Sequence, residues 1–169
     1  HQQCRHSWNN NVSGVAMRRT PVTLRSPSND DHEHFRAWYE RDRAGLEQLF
    51  GMELPTEDDY IVQLNKILGQ MQQFTARMLI VEMRDDPIGI VLVNDLGPDL
   101  EYGRVHIYLM PEKRRYALRT SRVGIAEAKK MGIKRLVQTV RDDNASVIKL
   151  SEKVGFVPSH LVTYIKELQ

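Results

Sequence analysis

Between positions 109 and 119 the chain reads Leu-Met-Pro-Glu-Lys-Arg-Arg-Tyr-Ala-Leu-Arg, and Arg122 follows closely. The run separates a segment of strand-like alternation from one of helical spacing. At such a junction, successive backbone N–H groups and the positive end of the helix dipole favour an anion, and a diphosphate suits that chemistry. The charge extends further: residues 112–135 hold nine Lys or Arg against two Glu, an excess of +7 within 24 residues. Such a segment could face a phosphate-bearing ligand, RNA or solvent. As an RNA surface it lacks a recognisable module and offers Tyr116 as its sole aromatic, so nucleic acid is not expected as a partner. His106, on the preceding strand, has an intrinsic pKa suited to proton traffic. Asp143-Asn144 stands where a following helix needs an acceptor for its first amides. His1, Cys4 and His6 have the side chains of a metal site, but no second pair matches them, and no metal is expected.

These residues need elements to position them. From Val22 the chain alternates strand-like and helix-like patterns in the order β-α-α-β-β-β-α-β-α-β. The segment 22–25 is short and β-prone. Ser28-Asn-Asp-Asp31 supplies helix-start chemistry, and Phe35, Trp38, Tyr39, Leu46, Leu49 and Phe50 follow at helical spacing up to Gly51. Thr56-Glu-Asp-Asp59 opens a second helix whose stripe of Ile61, Leu64, Ile67, Leu68 and Met71 predicts an end near Gln73. Two β-rich runs, 77–84 and 88–94, meet across Asp85-Asp86-Pro87 as an antiparallel hairpin. In 101–110, Tyr102, Arg104, His106 and Tyr108 fall on one face and Val105, Ile107 and Leu109 on the other. A helix over 120–131 ends before Gly132, a strand covers 134–141, a helix covers 144–154 before Gly155, and a last strand covers 161–166.

Composition sets the outer limits. The 169 residues are 41% hydrophobic and 27% charged, ordinary for a globular chain, and suit one domain over 21–169. No apolar run reaches the length of a membrane-spanning helix. One cysteine excludes an internal disulfide and fits a reducing, cytoplasmic setting. Residues 1–20 lack sustained periodicity and the apolar core of a signal peptide, so a flexible tail is expected. Residues 30–59 carry ten acids against three arginines, a surface able to attract a cation.

The segment Asn144-Ala-Ser-Val-Ile-Lys-Leu-Ser-Glu-Lys-Val-Gly-Phe156 resembles the N-x-x-A-x-x-L-Y-E-K-x-G-F pattern of the GNAT (GCN5-related N-acetyltransferase) superfamily. The loop matches the family's P-E-x-R-G-x-G-x-G/A run at Pro111, Glu112 and Arg114. With the element order, the resemblance covers about 22–166. It implies a mixed α/β, GNAT-like fold: a central, mostly antiparallel sheet of six or seven strands flanked by about four helices. It also implies acetyl-CoA as co-substrate and direct acetyl transfer to a primary amine. By resemblance, backbone groups of Ile107, Leu109 and Met110 bind the pantetheine arm and polarise the thioester. Arg114, Arg115, Tyr116, Ala117, Leu118, Arg119 and Thr120 hold the diphosphate, and Asn144 contacts the cofactor from across the strand gap. Glu101 matches the region of the family's catalytic base, with Asp99 and His106 nearby. Ser151 takes the place of the tyrosine that protonates the leaving thiolate, for which Tyr108 and Tyr116 are substitutes. Ala117 and Arg119 replace small residues of the loop signature.

The implied partners are acetyl-CoA and an unidentified amine, such as a polyamine, an aminoglycoside or a basic protein terminus. A homodimer is an open assembly, and no membrane partner is expected. Because Arg119 and Ser151 alter two chemical positions, a second reading stands beside the transferase. It is a GNAT-like module without catalysis, acting as a binding or structural protein of the kind found in phage.

Overall fold

The computed structural model describes residues 19–159 and 164–168. Five strands form one sheet in chain order, β1 (Thr23–Arg25), β2 (Arg77–Met83), β3 (Asp86–Asn94), β4 (Gly103–Leu109) and β5 (Leu136–Val137). The first four pair antiparallel and β5 joins β4 in parallel. Four α-helices flank them: α1 (His32–Phe50), α2 (Glu57–Gln72), α3 (Ala117–Lys130) and α4 (Ala145–Lys153).

The β2–β3 turn carries Arg84 and Asp85 at φ 51° and 61°, the positive-φ pair that matches the twist of a two-residue hairpin. Thr56 caps α2 in a reciprocal box, accepting from the Asp59 amide while the Asp59 carboxylate accepts from the Thr56 amide. Gly51, Gly132 and Gly155 stand at φ 66°, 86° and 98° beyond three helix ends, a conformation open to a residue without Cβ.

Period-two alternation divides the core into two layers. Met78, Ile80, Ile90, Leu92 and Tyr108 pack against α1 and α2 through Phe35, Trp38, Leu46, Leu64 and Ile67. Leu79, Val81, Val91, Val93, Val105 and Leu109 face α3 on the other side. The two faces expected for β4 are therefore the two faces observed.

Three expectations are corrected. The sheet has five strands among the described residues, not six or seven. The strand expected over 134–141 contracts to Leu136–Val137, because β4 supplies partners for those two residues alone. Beyond them Gln138 turns to Ser151 and Thr139 receives Arg104. Of the strand expected over 161–166, residues 161–163 lie outside the described residues and 164–166 have no regular structure. The tail, with His1, Cys4 and His6, lies outside them up to residue 18. No described helix is long and apolar enough to cross a membrane.

Candidate active site

The centre of the site is where β4 and β5 part. They pair at Gly103 with Leu136 and Arg104 with Val137, after which β5 ends and β4 continues to Leu109. Backbone polar groups of successive strand residues point to opposite edges. The Gly103 amide donates to the Arg135 carbonyl at 3.0 Å on the β5 side, whereas the Met110 amide donates to the Ile88 carbonyl at 2.9 Å on the β3 side. Odd positions therefore aim at β5. Ile107 and Leu109 direct their amides and carbonyls to an edge with no strand neighbour among the described residues. Such an edge can hydrogen-bond an extended ligand as it would a strand. Met110 is not among the free donors.

The basic loop lies at the end of this edge. Residues Pro111–Tyr116 form a 3₁₀ turn that runs into α3. Its amides are partly consumed: Lys113 donates to the Met110 carbonyl at 2.8 Å and Ala117 to that of Arg114. Arg114 Nη2 lies 2.8 Å from Asp42 Oδ2 on α1, and Arg41 forms a bidentate pair with Glu112 at 3.0 and 3.2 Å. Arg115 and Arg119 flank the Tyr116 ring, their guanidinium carbons 4.9 and 5.6 Å from its centroid. Arg119 also donates to the Thr20 carbonyl at 3.2 Å, so its side chain is drawn toward the segment before β1. Leu118 is half-buried. Thr120 is fully buried, its hydroxyl donated to the Tyr116 carbonyl at 3.0 Å. In this loop the groups available to an anion are mainly guanidinium side chains.

The expected proton-transfer residues are dispersed. Glu101 is exposed before β4 and accepts from Lys134 Nζ at 2.8 Å. It stands at the end of β4 away from the loop, where strand rise puts even Gly103 about 13 Å from Ile107. Asp99 lies in the same turn at φ 51°. Ser151 Oγ is 2.7 Å from Gln138 Oε1 and 2.8 Å from the Val147 carbonyl, so its single proton already has two acceptors. Asn144 Oδ1 caps α4, accepting from the Val147 amide and the Ser146 hydroxyl. His106 is central on β4 and half-buried, with Nε2 3.0 Å from Asn94 Oδ1. Burial draws its pKa below the ordinary imidazole value, partly opposed by Asp95, and so keeps it neutral at pH 7. Its Nδ1 is then the acceptor nitrogen if Nε2 donates to Asn94.

Sequence reasoning missed Asp42. This residue breaks α1 at φ −149°, ψ 55°, and its Oδ1 accepts from the Gly45 amide at 3.2 Å, capping the helix's second half. Beside it stands Tyr108, whose buried hydroxyl makes no hydrogen bond of ordinary geometry among the described residues. Burial pushes that phenol well above its usual range, and the Asp42 carboxylate pushes the same way. The sequence signal was present: the apolar stripe skips from Tyr39 to Leu46, with an Asp-x-x-Gly in the gap.

No cluster of His, Cys, Asp or Glu able to hold a metal occurs among the described residues. By sequence, no curated protein matches the chain significantly. Solved structures with the same fold include spermidine N-acetyltransferase from Vibrio cholerae with CoA and spermine. That chain is 20% identical at TM-score 0.68, and the match covers 83% of this chain and 84% of that one. An acetyltransferase from Salmonella typhimurium that modifies the N-terminal serine of ribosomal protein L7/L12 is 14% identical at TM-score 0.66, covering 82% and 81%. The aminoglycoside N-acetyltransferase AAC(6')-Iy, solved with CoA, is 14% identical at TM-score 0.60, covering 90% and 99%. A family model described as "Acetyltransferase (GNAT) domain" matches residues 22–157. With that match spanning most of its length, the chain belongs to the GNAT acetyltransferase family.

Proposed function

We propose that this protein transfers an acetyl group from acetyl-CoA to a primary amine. The observation that carries the reading is the parting of β4 from β5, which leaves the Ile107 and Leu109 edge without a strand partner among the described residues, beside a cluster of guanidinium groups. The pantetheine arm has amide and carbonyl groups that can hydrogen-bond this edge, and Arg114, Arg115 and Arg119 supply charge for the diphosphate. A β4 amide directed at the thioester carbonyl stabilises the oxyanion that develops there.

The acceptor amine must be neutral to attack. His106, neutral at physiological pH, is the base the geometry favours; Glu101 is the alternative, and its carboxylate is first to be freed from Lys134. Attack forms the new N–C bond, the C–S bond breaks, and the thiolate takes a proton. Ser151, with its hydroxyl shared between Gln138 and Val147, is a weak donor, so water is the readier source. The acidic stretch 30–59 and the fold shared with spermidine and aminoglycoside acetyltransferases support a cationic acceptor.

The module without catalysis is favoured by one observation, the commitment of loop amides to the 3₁₀ turn. Calorimetric titration with CoA at low and moderate salt separates the readings. Micromolar binding, weakened by Arg114→Ala and by higher salt, is expected of the transferase. Absence of binding at either salt rejects it.

A further inference from the structure

The contact between α1 and the basic loop is asymmetric. The Asp42 side chain is 12% exposed and that of its partner Arg114 is 58% exposed. Asp42 is fixed at the helix break, with Oδ1 held by the Gly45 amide. Arg114 reaches it from the loop and can turn to solvent or to another anion at little cost.

Beside Asp42 lies one buried polar group that no described residue satisfies. Tyr108, 3% exposed, has a buried hydroxyl without a hydrogen-bond partner of ordinary geometry among the described residues, and burial and then the nearby Asp42 carboxylate push its pKa up. Its ring lies 5.8 Å from that of Trp38, which is 2% exposed. The Tyr108 ring edge and the Asp42 carboxylate both border the space that a Cβ on Gly45 would take. A carboxylate, an unpartnered phenol oxygen and aromatic rings together suit an ammonium group. It takes its countercharge from the carboxylate, donates to the phenol oxygen and lies against the rings. In the free protein the Arg114 guanidinium supplies the countercharge at Asp42.

Arg114 also belongs to the loop proposed to receive the diphosphate, and one guanidinium cannot serve two anions equally. We infer that Asp42 is a carboxylate for the acceptor's ammonium group, masked by Arg114 until the phosphates of CoA draw that arginine away. This inference rests on the transferase reading and adds a substrate class, a polyamine whose second nitrogen remains charged while the first reacts. It also adds an order of binding. Loss of Arg114 leaves a sequestered carboxylate uncompensated, so the cation follows the cofactor. The Arg41–Glu112 pair keeps the loop beside α1 during the exchange.

Asp42→Asn tests the exchange, because asparagine retains the cap on Gly45 and removes the charge. By calorimetry, CoA binds the variant about fivefold tighter than the parent, the gain expected for releasing a largely exposed arginine. Arg114→Ala weakens CoA in both backgrounds and abolishes the difference between them. With spermidine as probe, the CoA-saturated parent binds at least about tenfold tighter than the CoA-free parent, and Asp42→Asn and Tyr108→Phe each remove that gain. Unchanged CoA affinity in Asp42→Asn, equal spermidine affinity with and without CoA, or no spermidine binding to the loaded protein overturns the inference. Failure of the parent to bind CoA overturns the transferase reading itself, a distinguishable result.

Discussion

Tyr39 and Tyr60 stack between α1 and α2, their ring centroids 5.2 Å apart and their planes 14° from parallel. The hydroxyls have opposite circumstances. Tyr39 donates to the Leu54 carbonyl at 2.7 Å. Tyr60, 1% exposed, has no hydrogen-bond partner for its buried oxygen among the described residues. Burial accordingly pushes the Tyr60 phenol far above its usual range. Replacing each tyrosine by phenylalanine preserves the stacked ring and deletes one oxygen, so the substitutions differ only in what that oxygen was doing. Tyr39→Phe removes a hydrogen bond and leaves a carbonyl short of a donor, for a loss of about 1 kcal/mol. Tyr60→Phe removes an unsatisfied polar group, and a gain of about 1 kcal/mol is expected. In urea, with a slope near 2 kcal/mol/M for a chain this size, the midpoints should move about 0.5 M in opposite directions at unchanged slope. Thermal midpoints should separate by about 4–8 °C. Loss of stability in Tyr60→Phe would refute the reasoning, since it would mean that the hydroxyl has a favourable partner.

Other perturbations test the site's supports. Gly89→Ala points a Cβ at the Tyr108 carbonyl oxygen, so it should cost about 1–3 kcal/mol in thermal denaturation and weaken CoA through the displaced end of β4. Thr56→Ala removes the α2 cap and should lower stability by about 1 kcal/mol in urea. The Asp31 carboxyl, 1% exposed, is held below the usual carboxylate range chiefly by its hydrogen bond to Arg25. The unfolded chain therefore takes up this proton first, and the contribution present above about pH 4 is lost as pH falls below it. Arg25→Ala should cost about 2 kcal/mol at pH 7, less than for a fully buried pair because Arg25 is 34% exposed, and should flatten that acid slope. If His106 is the base, kcat/KM should fall only below the ordinary imidazole range, and His106→Gln should abolish that limb of the profile.

What could be read from the sequence was whatever local periodicity determines. Alternation along β4 assigns Tyr108 to the α1 face and Leu109 to the α3 face without reference to any other strand. Cap residues behave likewise: Thr56 and Gly51 answer to backbone geometry within a few residues, whereas the hairpin turn expected at Asp85-Asp86-Pro87 falls on Arg84 and Asp85, with Asp86 and Pro87 already in β3. The length of β5 was not legible, because a strand lasts as long as its neighbour stays alongside, and β4 parts from it after two residues. The break in α1 was legible in principle through Asp42, Gly45 and the gap in the apolar stripe, but the stripe resumes at Leu46 and the two halves read as one helix.

The site was less legible for a related reason. Sequence displays which groups are present, whereas function depends on which remain uncommitted after folding. Thr120 is committed to Tyr116, Asn144 to the start of α4, and Glu101 to Lys134. Conversely, among the described residues, the unpaired edge at Ile107 and Leu109 comes from the end of a different strand, and the lone Tyr108 hydroxyl from the packing of a different helix. Asp42 and Arg114 illustrate both sides, since they lie 72 positions apart and each changes the other's availability. A phosphate that engages Arg114 therefore acts on α1 as well as on the loop, which makes CoA affinity in Asp42→Asn a measure of the whole arrangement and not of one ion pair.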